Sequence, residues 1–323
     1  GDPNAPGQQW RSNVLLRTSD MILTDGLTIP NGTLVTPADG STYFGGAPLA
    51  YTNFAKQIIR DPNLGPAVTI IPTAGISVPT PGTQFGVTQY INFMAVQQWG
   101  APGSWTTSYS AIAFSEDNGE NWTVAPSTIR LNQWWTGNQN FQQVAYVRPG
   151  DGFVYTYGTP NGRQGNSYVA RVPEQSMLDL TKYQYWNAAA AGPTPSTPGQ
   201  WITGNPAAAT SLFPVEQGAC GALGPGSTVG EMSVQYNQYL QKYVSLYTDQ
   251  NNSVVMRTSD RPQGNWSYAK VLMNQQPGGI YAPMMNPWSP STMGNGSDLY
   301  WNLSIFNTYN VMLMRTDLTK VPR

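Results

Sequence analysis

Short apolar runs, each closing on a polar turn, recur along the chain. Val-Leu-Leu-Arg-Thr-Ser-Asp occupies 14–20, Val-Val-Met-Arg-Thr-Ser-Asp returns at 254–260, and Val-Met-Leu-Met-Arg-Thr-Asp follows at 311–317. Looser copies are Ala-Ile-Ala-Phe-Ser-Glu-Asp at 111–117 and Tyr-Val-Ala-Arg-Val-Pro-Glu at 168–174. A unit that recurs at wide intervals indicates a repeat architecture, because each copy needs its neighbours to complete a core. The runs have strand length, and Gly and Pro punctuate the chain throughout. That pattern predicts an all-β fold built from four-stranded antiparallel blades around a channel, a β-propeller with the innermost strand of each blade lining the axis. The recurring run is read as the third strand of each blade.

Five blades are expected, in a single domain spanning residues 1–323. The second has its inner strand at 70–78, then strands at 89–99 and 109–116 and a fourth starting at Trp122. The third uses 141–148, 153–157, 167–172 and 183–186. A Pro/Ala/Gly-rich stretch at 188–214 reads as a surface loop or flap. The fourth uses 230–236, 242–248, 254–258 and 266–272, and the fifth 281–286, 299–306 and 310–316. The first blade has only a third strand, at 13–17, so its inner strands are missing. Roughly 20–30 residues upstream, or another segment, are expected to supply them. The turn Ser115-Glu-Asp-Asn-Gly-Glu-Asn-Trp122 looks like the Asp-box of sialidase-like propellers, in which the Asp accepts turn N–H bonds and the Trp packs beneath. Asp260 and Trp266 form a variant of it.

Composition narrows the chemistry. The 323 residues carry a net charge of −1 with only 10% charged, so no basic face exists to neutralise a nucleic acid. No long apolar run of membrane-spanning length is present. There is no histidine, which excludes Ser-His-Asp and Cys-His mechanisms and His-ligated metals. The single cysteine, Cys220, excludes an internal disulfide and reads as a buried small residue. Carboxylates, Lys and Tyr remain for acid–base work, and paired carboxylates are what glycoside hydrolysis needs. No cofactor is expected; propeller channels are compatible with a structural calcium held by oxygen ligands, but no Asp-x-Asp-x-Asp loop is present. The Gly-Asp-Pro start, the abundant Asn, Gln, Ser and Thr and the 11 Trp fit a processed, secreted, monomeric protein.

Several phrases together resemble one family. They are Gly1-Asp2 followed by Trp-Arg-Ser-Asn-Val-Leu at 10–15, Pro-Thr-Ala-Gly-Ile-Ser-Val at 72–78, and Trp-Thr-Thr-Ser-Tyr-Ser-Ala-Ile-Ala-Phe-Ser at 105–115. Tyr-Gly-Thr-Pro-Asn-Gly-Arg at 157–163, Gly-Glu-Met-Ser-Val-Gln-Tyr-Asn at 230–237 and Tyr-Asn-Val-Met-Leu-Met-Arg at 309–315 complete the set. The likeness is to actinobacterial and mycobacteriophage secreted proteins, long called a domain of unknown function and now linked to endo-D-arabinanases. It implies endo-acting hydrolysis of α-linked D-arabinofuranose in mycobacterial arabinogalactan and lipoarabinomannan, at the cell wall. It also implies a catalytic acid at Asp2, matching the Asp of a Gly-Asp-Thr motif with Pro3 in place of Thr, and a second acid in a Thr-Asp-Leu-Gly motif upstream of residue 1.

The residues themselves offer a further acid. Glu231 lies on an inner strand, where a side chain can face the channel as a catalytic or substrate-binding group, or can tie inner strands together. Arg11, Asn13 and Gln142 are placed to reach sugar hydroxyls. Trp105, Tyr109, Trp134 and Trp135 form a candidate stacking platform, the alternative being that they fill space between blades. Adjacent strand residues point to opposite faces, so one of Trp134 and Trp135 is expected to be exposed. Asp20, at the repeated turn, reads as structural. A non-catalytic glycan-binding propeller is the alternative to an enzyme. A sialidase or a furanosidase of another specificity ranks lower; a sialidase needs an arginine cluster, and the assigned inner strands hold few arginines, Arg148 among them.

Overall fold

The computed structural model describes residues 12–28, 57–191 and 198–321. Among them, sixteen strands form four antiparallel sheets. Sheet I comprises β1 (Thr69–Pro79), β2 (Val87–Trp99), β3 (Trp105–Ser115) and β4 (Thr123–Leu131). Sheet II comprises β5 (Gln143–Val147), β6 (Phe153–Thr159), β7 (Tyr168–Pro173), β8 (Gln184–Ala191) and β9 (Pro198–Thr203). Sheet III comprises β10 (Met232–Asn237), β11 (Lys242–Thr248), β12 (Val254–Ser259) and β13 (Lys270–Met273), and sheet IV β14 (Ile280–Met285), β15 (Asp298–Ile305) and β16 (Asn310–Asp317). Each sheet is ordered as the chain runs, and the leading strands β1, β5, β10 and β14 neighbour one another in turn. This is a β-propeller of four blades, correcting the expected five.

The expected extra blade does not form. Residues 13–17 have strand-like chemistry but form no strand. The Asn13 amide instead donates to the Ile59 and Ile70 carbonyls at 3.0 and 3.2 Å and accepts from the Ile58 and Ile59 N–H groups. Leu15 packs with the cluster of Ile59, Ile70, Phe93 and Tyr109, and Arg17 donates to the Asn118 carbonyl. The run is therefore bound to the flank of sheet I. The 188–214 stretch also differs from its reading: part of it is β9, a fifth strand in which Trp201 lies opposite Trp186.

The core lies between consecutive sheets. Val78, Tyr90 and Ile112 of sheet I meet Phe141, Val144 and Val172. Tyr155 and Tyr157 of sheet II meet Val234, Tyr243 and Tyr247 of sheet III, and Leu246 and Met256 meet Leu299 and Trp301 of sheet IV. Such packing covers both faces of the second strands, so β6 and β11 are buried along nearly their whole length rather than alternating. The outer strand β16 is mostly exposed or half-buried. Close packing makes Gly158 on β6 obligatory: an added Cβ would lie 2.3 Å from Phe141 Cδ1 and 2.4 Å from the Asn140 carbonyl oxygen. Gly158→Ala is expected to cost about 1–3 kcal/mol through overpacking, seen as a lowered thermal midpoint with an unchanged fold.

The Asp-box turn forms as its chemistry requires. Asp117 accepts from Ser115 Oγ at 2.8 Å, from the Asn121 N–H at 2.9 Å and from Asn121 Nδ2 at 2.7 Å. Gly119, at φ +82°, donates its N–H to Ser115 Oγ, and Trp122 Nε1 donates to the Gly119 carbonyl. Burial opposes ionisation of Asp117, but the bonds from Asn121, Ser115 and Glu120 outweigh it and hold the carboxyl below its ordinary 3.8. A depressed native value means that this carboxylate stabilises the fold fully above the ordinary value, and that the contribution disappears as pH falls below it. Asp117→Ala is expected to cost about 1 kcal/mol at neutral pH. The gap from wild type, followed by urea unfolding, should close as the solution is acidified below that value. The variant turn at Asp260 lacks this bonding: Asp260 is exposed and pairs with Lys242 Nζ at 2.6 Å.

Candidate functional site

The entries to the inner strands and the loops joining second to third strands meet at one end of the propeller. Hydrogen bonds stitch them together. The Arg163 N–H donates to the Gly103 carbonyl, the Val229 N–H to Gly165 and the Gly230 N–H to Thr248. Asn132 Nδ2 donates to Asn161 Oδ1 at 2.8 Å, and Asn161 Nδ2 to the Trp105 carbonyl at 2.6 Å.

Glu231, immediately before β10, lies within this assembly. Arg163 Nε and Nη2 donate to its two carboxylate oxygens, each at 3.0 Å, in a fork-to-fork pair. The side chains are 7% and 15% exposed. Arg163 Nη1 also donates to Asn252 Oδ1, and Asn252 adopts the left-handed conformation, φ +57°, that Asn tolerates. Gly230 makes this possible: a Cβ there would sit 2.4 Å from Arg163 Cγ and 2.9 Å from the Thr248 carbonyl oxygen. Across the inner strands, Tyr281 on β14 has its hydroxyl raised above the ordinary value by burial, against a lowering bond with Ser304 and with smaller additions from the charges of Tyr309 and Glu231. The end therefore holds a carboxylate with both oxygens engaged, a phenol whose ionisation burial opposes and several amides. Such a set suits sugar hydroxyls, which need donors and acceptors together.

The other expected site residues scatter. Asp2 and Arg11 lie outside the described residues. Asn13 is 6% exposed and bound to backbone groups of Ile58, Ile59 and Ile70. Gln142 is fully buried; it precedes β5, accepts from Thr107 Oγ1 at 2.7 Å and donates to the Arg130 and Asn138 carbonyls. Trp105 is buried against Met94 and Val96, and Tyr109 is buried against Phe93, its hydroxyl pushed up to about 12 by burial and the Asp61 charge. Trp134 and Trp135 are not on a strand. They lie on a 3-10 turn, so both rings are exposed, by 73% and 61%, meeting edge-on at 5.9 Å. Asp20 accepts from the Ile22 and Thr28 N–H groups as a turn residue. Cys220 is exposed rather than buried.

Arg163, Asn161 and Asn252 escaped the sequence reading. Their one signal was the Pro-Asn-Gly-Arg turn at 160–163 closing a strand, since Arg163 and Glu231 are 68 positions apart. Among the described residues no three of His, Cys, Asp and Glu gather as metal ligands, and no helix is long and apolar enough to cross a membrane.

The chain is 27% identical over 259 residues to Notoamide biosynthesis cluster protein J of Aspergillus sp. (strain MF297-2), covering 77% of this chain and 59% of that protein. It thus spans less than two thirds of that relative's length. Among solved structures, it is similar to an alpha-L-arabinofuranosidase (CtGH43) of Clostridium thermocellum ATCC 27405, at 12% identity and a TM-score of 0.43, covering 79% of this chain and 71% of that one. A glycosyl hydrolase from Bacteroides ovatus gives 13% identity and a TM-score of 0.40 over 76% of this chain and 70% of that one. The match that extends over residues 1–315 is to DUF4185, a domain of unknown function, and the chain belongs to that family.

Proposed function

We propose that the protein is a secreted glycoside hydrolase that cuts internal α-D-arabinofuranosyl linkages of cell-wall arabinan. The observation that carries this reading is the position of Glu231. Among the described residues, only β10 of the four inner strands is entered directly through an acid; Val68, Gln142 and Gly279 precede the others. Both carboxylate oxygens of Glu231 accept hydrogen bonds from the Arg163 guanidinium, so neither is presented as a proton donor. Its fitting role is as nucleophile, as base for water, or as stabiliser of the positive charge that develops on the sugar ring. The proton donor is then a separate acid, and Asp2 is the candidate that the resemblance to endo-D-arabinanases supplies. The arabinan specificity rests on that same resemblance.

One observation favours a second reading, a propeller that binds glycan without cutting it. Both oxygens of Glu231 are already occupied by Arg163, as in a purely structural tie. Measuring retention and turnover on one arabinogalactan preparation separates the two. Release of oligosaccharides supports the hydrolase; tight retention with an intact polymer supports the binding module.

A further inference from the structure

A cleft of about 260 Å³ opens between sheets II and III. One wall is Trp186 on β8; the other is the turn after β12, with Arg261, Gln263 and Asn265, and Ser211 also lines it. It lies at the opposite end of sheet III from Glu231. Met232 is level with Tyr247 and Val255 in the ladder, whereas the turn begins beyond Ser259, which is level with Tyr243.

The Trp186 wall is braced by its neighbours. The Trp186 ring is half-buried and braced by Trp201, with centroids 5.2 Å apart. Its edge crosses Gly199, where a Cβ would come within 2.5 Å of Trp186 Cζ2. Arg261 Nε donates to the Gly264 carbonyl at 3.2 Å, which aims the guanidinium while leaving both terminal nitrogens without a described partner. The side chains of Gln263, Asn265 and Ser211 likewise bond to no described residue. A half-buried indole thus shares the cleft with an exposed guanidinium and three groups that each donate and accept.

This chemistry selects its ligand. Amides and a hydroxyl match the dual character of sugar hydroxyls, the Arg fork spans a vicinal pair of oxygens, and an indole face suits sugar C–H groups. A nucleotide phosphate would call for more than one cation, and among the described residues Arg261 is the only one lining the cleft. The volume falls below the ~300–1,000 Å³ of drug-sized sites and fits one or two sugar rings. We propose that this cleft is a second carbohydrate site, which holds a residue of the polymer while another part of the chain lies at Glu231. The proposal rests on the glycan-active reading above.

The test uses the full chain on insoluble arabinogalactan and on a short soluble arabinan oligosaccharide. Arg261→Ala and Gln263→Ala are each expected to weaken retention on the polymer about tenfold, the loss of one good hydrogen bond, and to leave turnover of the short substrate unchanged. Soluble oligosaccharide should also alter wild-type tryptophan fluorescence, and Trp186→Phe should remove that change. Wild-type turnover with retention unaffected by both substitutions overturns the second site alone. Neither retention nor turnover by the wild type overturns the second site and the hydrolase reading together.

Discussion

Replacing Arg257 by alanine is expected to lower the unfolding free energy by about 3–5 kcal/mol, the cost of breaking a buried charged network. Arg257 is fully buried on β12. Its Nε donates to the Tyr247 hydroxyl at 2.7 Å, Nη1 to the Ser267 carbonyl at 2.6 Å, and Nη2 to the Pro214 and Gly226 carbonyls at 3.0 and 2.9 Å. The Glu216 carboxylate stands 3.8 Å away, and the guanidinium lies over the Phe213 ring. The side chain thus fastens the segment entering sheet III to the loop joining β12 to β13. Truncation removes the donor of the Ser267 and Pro214 carbonyls and leaves the Gly226 carbonyl and the Glu216 carboxylate with only Tyr247 and the Ala269 N–H as described donors. Lysine should recover little, because a single ammonium cannot reproduce the fork. Urea unfolding at neutral pH reads the effect. A loss below about 1 kcal/mol, the range of exposed pairs, would show that the network is solvated and the argument wrong.

Arg257 also shows what the repeated phrase did and did not encode. Arg17 and Arg315 occupy the same place in their copies. Arg315 is 57% exposed and pairs with Asp298 at 3.0 Å. Arg17 reaches the Asn118 carbonyl and belongs to no strand at all. The phrase specifies an apolar run and a turn. It does not specify what packs on either side, and that decides both burial and blade membership. Hence fifteen of the strands were legible from periodicity, whereas the run at 13–17 was counted as a blade because strand chemistry cannot reveal the absence of a partner. β9 was hidden for the opposite reason: its Pro-Gly start reads as loop, and only Trp201 facing Trp186 makes it a strand.

The site divides in the same way. Glu231 stood out because acids are scarce in this chain and rarer still on inner strands. Its partner could not be read, since the contact joins two sheets across the top of the fold. Asn13 and Gln142 were recognised as polar groups in apolar settings, but their partners are backbone groups, which side-chain patterns do not display. Trp134 and Trp135 were seen as a pair, and the 3-10 turn that exposes both rings follows from Gly137, whose left-handed conformation ends it.

Glu231→Gln is expected to cut turnover of arabinan by about 10²–10⁴, the usual worth of a positioned acid–base or nucleophilic carboxylate. The amide keeps the volume and one acceptor but removes the charge. It also presents an NH₂ group to the Arg163 guanidinium, so one of the two 3.0 Å bonds is lost. A stability loss of about 1–3 kcal/mol should accompany it, and rates must be compared well below the variant's unfolding midpoint. Arg163→Ala provides the complement: it leaves Glu231 in place yet unclamped. If clamping sets the geometry of the reacting carboxylate, that variant also loses turnover while its retention on the polymer changes less. A Glu231→Gln rate within a few-fold of wild type would reduce Glu231 to a tie between loops.

The most direct measurement is the product profile of insoluble arabinogalactan treated with the full chain, wild type and Glu231→Gln side by side, resolved by oligosaccharide length. The account predicts a ladder of arabino-oligosaccharides from internal cleavage by the wild type and almost none from the variant. An intact polymer after wild-type treatment, or the same ladder from both proteins, would contradict it.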